Sequence, residues 1–196
     1  MPKFSIIGVD YEKHTPRDMM VEGLQSIANQ TFKDFELLIC HDGPKEVPYE
    51  EEVDFKSMGL NPIFLNTPER ENKWGHPSRR LAMQNATGEY FINFNLDNLL
   101  TPNCLENLNL AITHTKGYVL IFNILMRGNH TGNDILRGVP PVHTNIDAMQ
   151  MVASREIWES ISWWYRDEPS SDGMIIEEIC KLHPWLEVPL VLGEHR

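Results

Sequence analysis

Residues 91–100 read FINFNLDNLL. Phe91, Ile92 and Phe94 suit the interior of a buried strand, yet Asn95, Asp97 and Asn98 crowd its C-terminal end. Polar side chains at the mouth of an apolar strand point to an open parallel α/β sheet, because such sheets bind ligands beyond the carboxyl ends of their strands. The surrounding sequence has to supply the rest of that sheet.

It does so on both sides. KFSIIGV (3–9) is a short apolar, β-branched run that stops at Asp10-Tyr11. Thr15-Pro16 gives an N-cap followed by proline at the first helical position. Met20, Leu24 and Ile27 recur at helical spacing, which predicts an amphipathic helix over 16–29. FELLIC (35–40) is a second buried strand ending at His41-Asp42-Gly43-Pro44, and NPIFLN (61–66) a third. A helix over 78–86, stopped by Gly88, leads into the strand EYFINF (89–94). Thr101-Pro102 opens a helix over 102–115, followed by the strand GYVLIFNIL (117–125).

The second half is less regular. Residues 128–145 are loop-like, rich in Gly, Pro and Asn, and DAMQMVA (147–153) reads as a strand. Ser154 caps a helix over 155–162, Ser171 caps another over 172–182, and LEVPLVL (186–192) is a last strand. The β-α-β-α-β rhythm predicts an α/β fold: a mostly parallel central sheet with helices on both faces, three layers in all. With no repeat or linker, the 196 residues make one domain.

Composition narrows the function. Hydrophobic residues at 41% and charged residues at 23% are those of an ordinary globular protein. No apolar run approaches the ~20 residues of a membrane span; YVLIFNILM (118–126) is interrupted by Asn123. A net charge of −11 argues against nucleic acid as a partner. It also means that an anionic ligand must be met locally, by a few placed cations, a metal or backbone N–H groups. Three scattered cysteines argue against a disulfide framework or zinc site and for a reducing, cytoplasmic setting. The N-terminus lacks the plan of a secretion signal. The N-x-T triplets at Asn29, Asn85 and Asn129 are accordingly chance matches.

At this point the residues resemble a known family. FSIIGVDY…SIANQTFKDFELLICHDGP is similar to the opening of the family-2 glycosyltransferases of the GT-A fold, and SRRLAMQNATGEYFINFNLDN to their Asp-x-Asp block. The resemblance runs from residue 3 to about residue 110 in order and with near-constant spacing, and beyond residue 115 it is only a pattern. It implies a nucleotide-sugar-binding half (1–100) and an acceptor-binding half (101–196).

Carried over residue by residue, the uridine site falls on Val9, Tyr11 and Asp42: a carboxylate accepts the uracil N3–H and an aromatic ring packs on the base. Arg79 matches the nucleotide-contacting arginine, with Arg80 beside it as the alternative. The Asp-x-Asp triplet falls on Asn95-Leu96-Asp97, so the donor lies against Asn95 and Leu96, and Asp97 holds the divalent metal, Mn²⁺ or Mg²⁺. Asn95 stands where the family has its first acid. His195 is a second metal ligand or part of a chain tail, and His143 a weaker candidate of the same kind. Asp172, at a helix start, matches the catalytic base, with Asp167 and Glu168 as alternatives. Trp163, Trp164 and Tyr165 form an acceptor platform or core packing.

The resemblance thus implies an inverting, metal-dependent transfer of sugar from UDP-sugar to a hydroxyl of an acceptor glycan or glycoprotein. Rival readings are a degenerate domain that only binds nucleotide or glycan, and a sugar-1-phosphate nucleotidyltransferase. Compact members of this kind occur in bacteria and in large algal DNA viruses, which adds a virus-infected host to the settings implied.

Overall fold

The computed structural model describes residues 1–10, 15–115, 117–127, 134–161 and 168–196. Strand β1 (Phe4–Asp10) leads to helix α1 (Arg17–Ala28), β2 (Phe35–His41) and two single-turn helices, α2 (Tyr49–Glu52) and α3 (Phe55–Met58). Then come β3 (Ile63–Asn66), α4 (His76–Asn85), β4 (Tyr90–Asn95), a two-residue β5 (Leu99–Leu100) and α5 (Cys104–His114). The second half adds β6 (Val119–Met126), β7 (Asp134–Leu136), β8 (Met151–Ser154), α6 (Arg155–Glu159), α7 (Ser171–Leu182) and β9 (Trp185–His195).

Among the described residues nine strands form one sheet in the order β3-β2-β1-β4-β8-β6-β9-β5, with β7 on β6. The pairs β3–β2, β2–β1, β1–β4 and β6–β9 are parallel, while β8 runs antiparallel between β4 and β6. Side chains alternate across this sheet with the two-residue period of a strand. Phe4, Ile6, Leu37, Ile39, Ile92 and Phe94 pack with Leu24 and Ile27 of α1 and Leu105 and Leu108 of α5 on one face. Ile7, Leu38, Cys40 and Phe91 pack with Ala82 of α4, Trp158 of α6 and Ile176 of α7 on the other. The predicted three layers are present, with a core on each side of the sheet.

Two short sequence signals do structural work between these layers. Gln30 is almost fully buried, and its amide donates to the carbonyls of Ser26 (3.0 Å) and Thr101 (2.7 Å) while accepting from Leu105 N–H (3.0 Å). It thereby locks the end of α1 to the start of α5. Gly88 lies so close to β1 that a β-carbon there would sit 2.5 Å from Ser5 Oγ. Glu36 ties the same corner together, its Oε1 accepting from Ser5 Oγ (2.6 Å) and from the N–H groups of Thr87 (2.5 Å) and Gly88 (2.9 Å). Burial opposes its charge, but these bonds outweigh it and hold the carboxyl below its ordinary value.

Several element boundaries differ from the sequence expectation. Pro16, not Thr15, is the N-cap of α1: its ψ of 139° keeps it extended, and its carbonyl accepts the first helical bond, from Met20. Ser170, not Ser171, caps α7; Ser171 is already helical and its hydroxyl is buried without a hydrogen-bond partner. Ser154 caps α6 as expected, accepting from Ile157 N–H at 3.4 Å. The strand expected over 147–153 begins as a 3₁₀ turn, Ala148–Gln150, because Asp147 and Gln150 close a reciprocal capping box. The last strand is longer than expected and bulges against β6 around Asn123, which accommodates Pro189 and its missing N–H. Among the described residues no helix is long and apolar enough to cross a membrane.

Candidate active site

The C-terminal ends of β1, β2 and β4 open onto a cleft of about 620 Å³, closed on its other sides by the N-termini of α4 and α7 and the end of β9. Val9, Asp42, Arg79, Asn95, Asp97, Asp172 and His195 all line it. Residues far apart in sequence are therefore brought together as expected. Leu96 is not: it is fully buried and turns its side chain into the core, with Cδ2 beneath Gly8. Tyr11, Trp163, Trp164, Tyr165 and Asp167 lie outside the described residues. His143 does not line the cleft; its backbone N–H and Nδ1 are bonded to Glu177 (2.8 and 3.0 Å). Glu168 contributes its carbonyl, 3.2 Å from His76 Nε2.

Arg79 forms one wall. Gly75, at φ 75°, starts α4 in the left-handed region that glycine tolerates and lets the helix present Arg79 to the cleft. The guanidinium is buried; Nη1 donates to Trp74 carbonyl oxygen (2.8 Å) and Nη2 to Asn95 Oδ1 (2.6 Å), while Nε has no partner. Burial pulls its pKa down, opposed by Asp172 and Asp147, so both carboxylates share its field. Arg79 lines the cleft and Arg80 does not. Asn95, standing where the family has an acid, is used here as the hydrogen-bond acceptor for Arg79.

Asp97 sits on the turn that follows β4. Asn98 N–H donates to Asn95 carbonyl oxygen (2.9 Å) and Leu96 N–H to Val9 carbonyl oxygen (3.3 Å), which fixes the turn over β1. Helix α1 presses on it from below, and Arg196 braces it from the side, donating to Asp97 carbonyl oxygen (2.6 Å) and to Glu22 and Met19. Asn98 is buried: its Oδ1 accepts from Arg196 N–H (3.3 Å), so it faces the fold rather than the cleft. The Asp97 Oδ1 atom is buried and has no hydrogen-bond partner. Burial raises the Asp97 pKa; His195 and Arg196 counteract that, and Asp10 reinforces it.

His195 is held in a strand, paired with Met126 of β6, and its backbone carbonyl accepts from Arg127 N–H (2.9 Å). Its Nε2 is 3.6 Å from Asp147 Oδ2. Asp147 is a site residue that the sequence reading missed. Its Oδ1 accepts from Met149 N–H (2.9 Å), and burial raises its pKa against the pull of His195. Asp10 is another: Oδ2 accepts from Tyr49 Oη (2.8 Å), and Oδ1 is buried without a partner. Asp42 serves a double purpose. Its oxygens accept from Glu71 and Asn72 N–H (both 2.9 Å), and Oδ1 also from Thr67 Oγ1 (3.5 Å), which leaves a lone pair on Oδ2 for a ligand. Asp172 lies in the first turn of α7, with Oδ1 accepting from Gly173 N–H (2.8 Å). A cation is favoured least at that end of a helix and an ionised carboxylate most.

Among the described residues the lining thus carries five carboxylates, Asp10, Asp42, Asp97, Asp147 and Asp172, against one guanidinium. Such a lining disfavours a diphosphate that brings no cation of its own. Asp97, with its unpartnered oxygen, and His195 fit a divalent cation, a hard ion content with one or two protein ligands when phosphate oxygens complete its shell. Among the described residues no three His, Cys, Asp or Glu side chains converge on one metal-sized point. A divalent cation here would rely on its ligand to complete its shell, since the described side chains form no closed protein cage.

Comparison with known proteins places the sequence in a family. The sequence model of glycosyl transferase family 2 matches residues 11–169. An uncharacterized glycosyltransferase of Methanocaldococcus jannaschii is 27% identical over 141 residues, covering 71% of this chain and 47% of its own length. Among solved structures, Staphylococcus aureus TarS 1–349 in complex with UDP-GlcNAc superposes with a TM-score of 0.80 at 15% identity, over 98% of this chain and 58% of TarS 1–349. Mannosyltransferase PcManGT from Pyrobaculum calidifontis, in complex with GDP-Man and Mn²⁺, does so with a TM-score of 0.74 at 15% identity, over 99% of this chain and 56% of its own. The chain spans about half the length of the curated relative it matches. The structural likeness shows a shared fold, the GT-A arrangement expected from the sequence. On the extent of the family match, the chain belongs to glycosyl transferase family 2.

Proposed function

We propose that the protein transfers a sugar from a UDP-sugar to a hydroxyl of an acceptor glycan or glycoprotein, with inversion at the anomeric carbon. The observation that carries this reading is Asp97, with a buried oxygen that has no partner, lining the same cleft as the buried Arg79. Asp42 and Val9 take the base, Arg79 the diphosphate, and Asp97 with His195 the metal. A bound Mn²⁺ or Mg²⁺ neutralises charge on the departing nucleoside diphosphate.

The chain's own residues do the rest. Asn95 and Trp74 carbonyl oxygen hold Arg79 in place, so its charge is delivered without reorganisation. Asp172 removes the acceptor hydroxyl proton as that oxygen attacks the anomeric carbon from the face opposite the leaving group. Residues 1–100 supply the donor side, while 101–196 supply Asp147, Asp172 and His195 and with them the acceptor side. The three cysteines are free, which suits a reducing, intracellular setting.

The degenerate-domain reading is favoured only by Asn95. Asn98 does not count toward it, because that side chain faces the fold. A screen of UDP-sugars with Mn²⁺ for binding and hydrolysis tests the proposal. Asp97→Ala should abolish metal-dependent UDP binding, and Asp172→Asn should spare binding and remove transfer. Normal transfer by both variants overturns the assignment, and binding without any turnover in the unmodified protein supports the degenerate reading.

A further inference from the structure

Among the described residues, the only non-glycine residues with positive φ are Asn72 (53°) and Trp74 (49°), and both line the cleft. Asparagine tolerates that conformation, whereas a bulky indole does so at a cost. Strain of this kind survives only where the surroundings impose it, and it gathers at ligand sites. The surroundings here are explicit. Asp42 Oδ2 accepts from Asn72 N–H (2.9 Å), and Arg79 Nη1 donates to the Trp74 carbonyl oxygen (2.8 Å). Gly75 follows at φ 75°, packed so that a β-carbon would lie 3.4 Å from Val9 Cγ2.

The side chain so placed is not used for packing. The Trp74 indole is 54% exposed, at the wall of a polar cleft. A chain that bends its backbone into an unfavourable region to leave a large flat ring in water has prepared a surface for another flat ring. The backbone around the ring decides which part of a ligand it meets. Of its neighbours, Asn72 is tied to Asp42, just past β2, and Gly75 is packed on Val9 of β1, while its own carbonyl is held by Arg79. Trp74 therefore lies between the residues assigned to the base and the arginine assigned to the diphosphate.

We propose that Trp74 is the stacking platform for the nucleobase of the donor and a determinant of nucleotide affinity, a role that rests on the nucleotide-sugar reading above. Aromatic stacking recognises the face of a base and leaves its edge to Asp42.

Calorimetric titrations with UDP plus Mn²⁺, and separately with inorganic pyrophosphate plus Mn²⁺, test this. Trp74→Ala should weaken UDP by roughly tenfold to a hundredfold, Trp74→Phe by about threefold at most because a ring remains, and neither should change pyrophosphate binding. Trp74→Gly, which suits the observed φ, should raise the melting temperature by about 1–3 °C while weakening UDP as the alanine variant does. Equal UDP affinity in all variants overturns the proposal. So does an equal loss of pyrophosphate, which would make Trp74 only a support for Arg79. If the unmodified protein binds no UDP, the nucleotide-sugar reading itself fails, and this proposal with it.

Discussion

A β-carbon on Gly23 would sit 2.1 Å from the carbonyl oxygen of Leu96 and 2.9 Å from that of Asn98. Helix α1 therefore touches the turn that carries Asp97 through bare backbone, and only glycine permits the approach. Gly23→Ala should push the turn toward the cleft. The expected result is a destabilisation of about 1–3 kcal/mol together with loss of Mn²⁺-dependent nucleotide binding. Thermal unfolding and a Mn²⁺ titration check the two effects separately; binding that survives at full strength would show that the turn is not set by α1.

Gln30 makes the second link between α1 and the region after Asp97, through hydrogen bonds to Thr101 and Leu105, while a third ties it back to Ser26 of α1. Gln30→Leu keeps much of the volume but strands the carbonyl of Thr101 and the N–H of Leu105. Orphaned buried groups of this kind cost about 1–3 kcal/mol each, so a fall in melting temperature of roughly 5–15 °C is expected. Cleft residues do not move in this case, and nucleotide affinity below the transition should stay within about threefold of the unmodified protein.

Much of this was legible in the sequence, and the residues that were not share a physical reason. Periodicity revealed β1, α1, β2 and β4, because both core faces are built from alternating apolar residues. The family motifs located Asp42, Arg79, Asp97, Asp172 and His195, all of which meet in one cleft. Leu96 was assigned to the donor because it lies inside the motif, yet its side chain continues the apolar alternation of β4 into the core. Asp147 was hidden because Asp147-Ala-Met-Gln150 was read as strand; the Asp-x-x-Gln spacing of a capping box was the available signal. Trp74 left no signal of its own, since nothing local in KWGHP fixes a left-handed φ. That conformation is imposed by Asp42 and Arg79, partners distant in sequence or on the next turn of chain.

Asn95 gives a direct test of the missing acid. Its Oδ1 accepts from Arg79 Nη2 at 2.6 Å, and Asn95→Asp retains that acceptor while adding charge. The new carboxylate would pair with the guanidinium and add to the field of Asp97. Metal-free UDP binding should weaken by about three- to tenfold, the effect of roughly 1 kcal/mol, and Mn²⁺ should be bound more tightly in the presence of UDP. If metal-free binding is unchanged, Arg79 does not meet the diphosphate.

Glu36 makes stability pH-dependent in a direction that can be worked out. Its folded-state pKa lies below the ordinary carboxylate value: burial works against the charge, but the donors Ser5, Thr87 and Gly88 favour it more. A depressed pKa means that the unfolded chain binds the proton more readily. The stabilisation is therefore fully present above the unfolded pKa, at neutral pH, and is lost as pH falls through the folded value. Glu36→Gln removes the charge at every pH while leaving one acceptor oxygen. It should cost about 1–2 kcal/mol at pH 7, and the gap to the unmodified protein should close on acidification below the ordinary carboxylate range. Urea unfolding of both proteins across that range measures it, and a gap that persists in acid would assign the loss to packing rather than to the charge of Glu36.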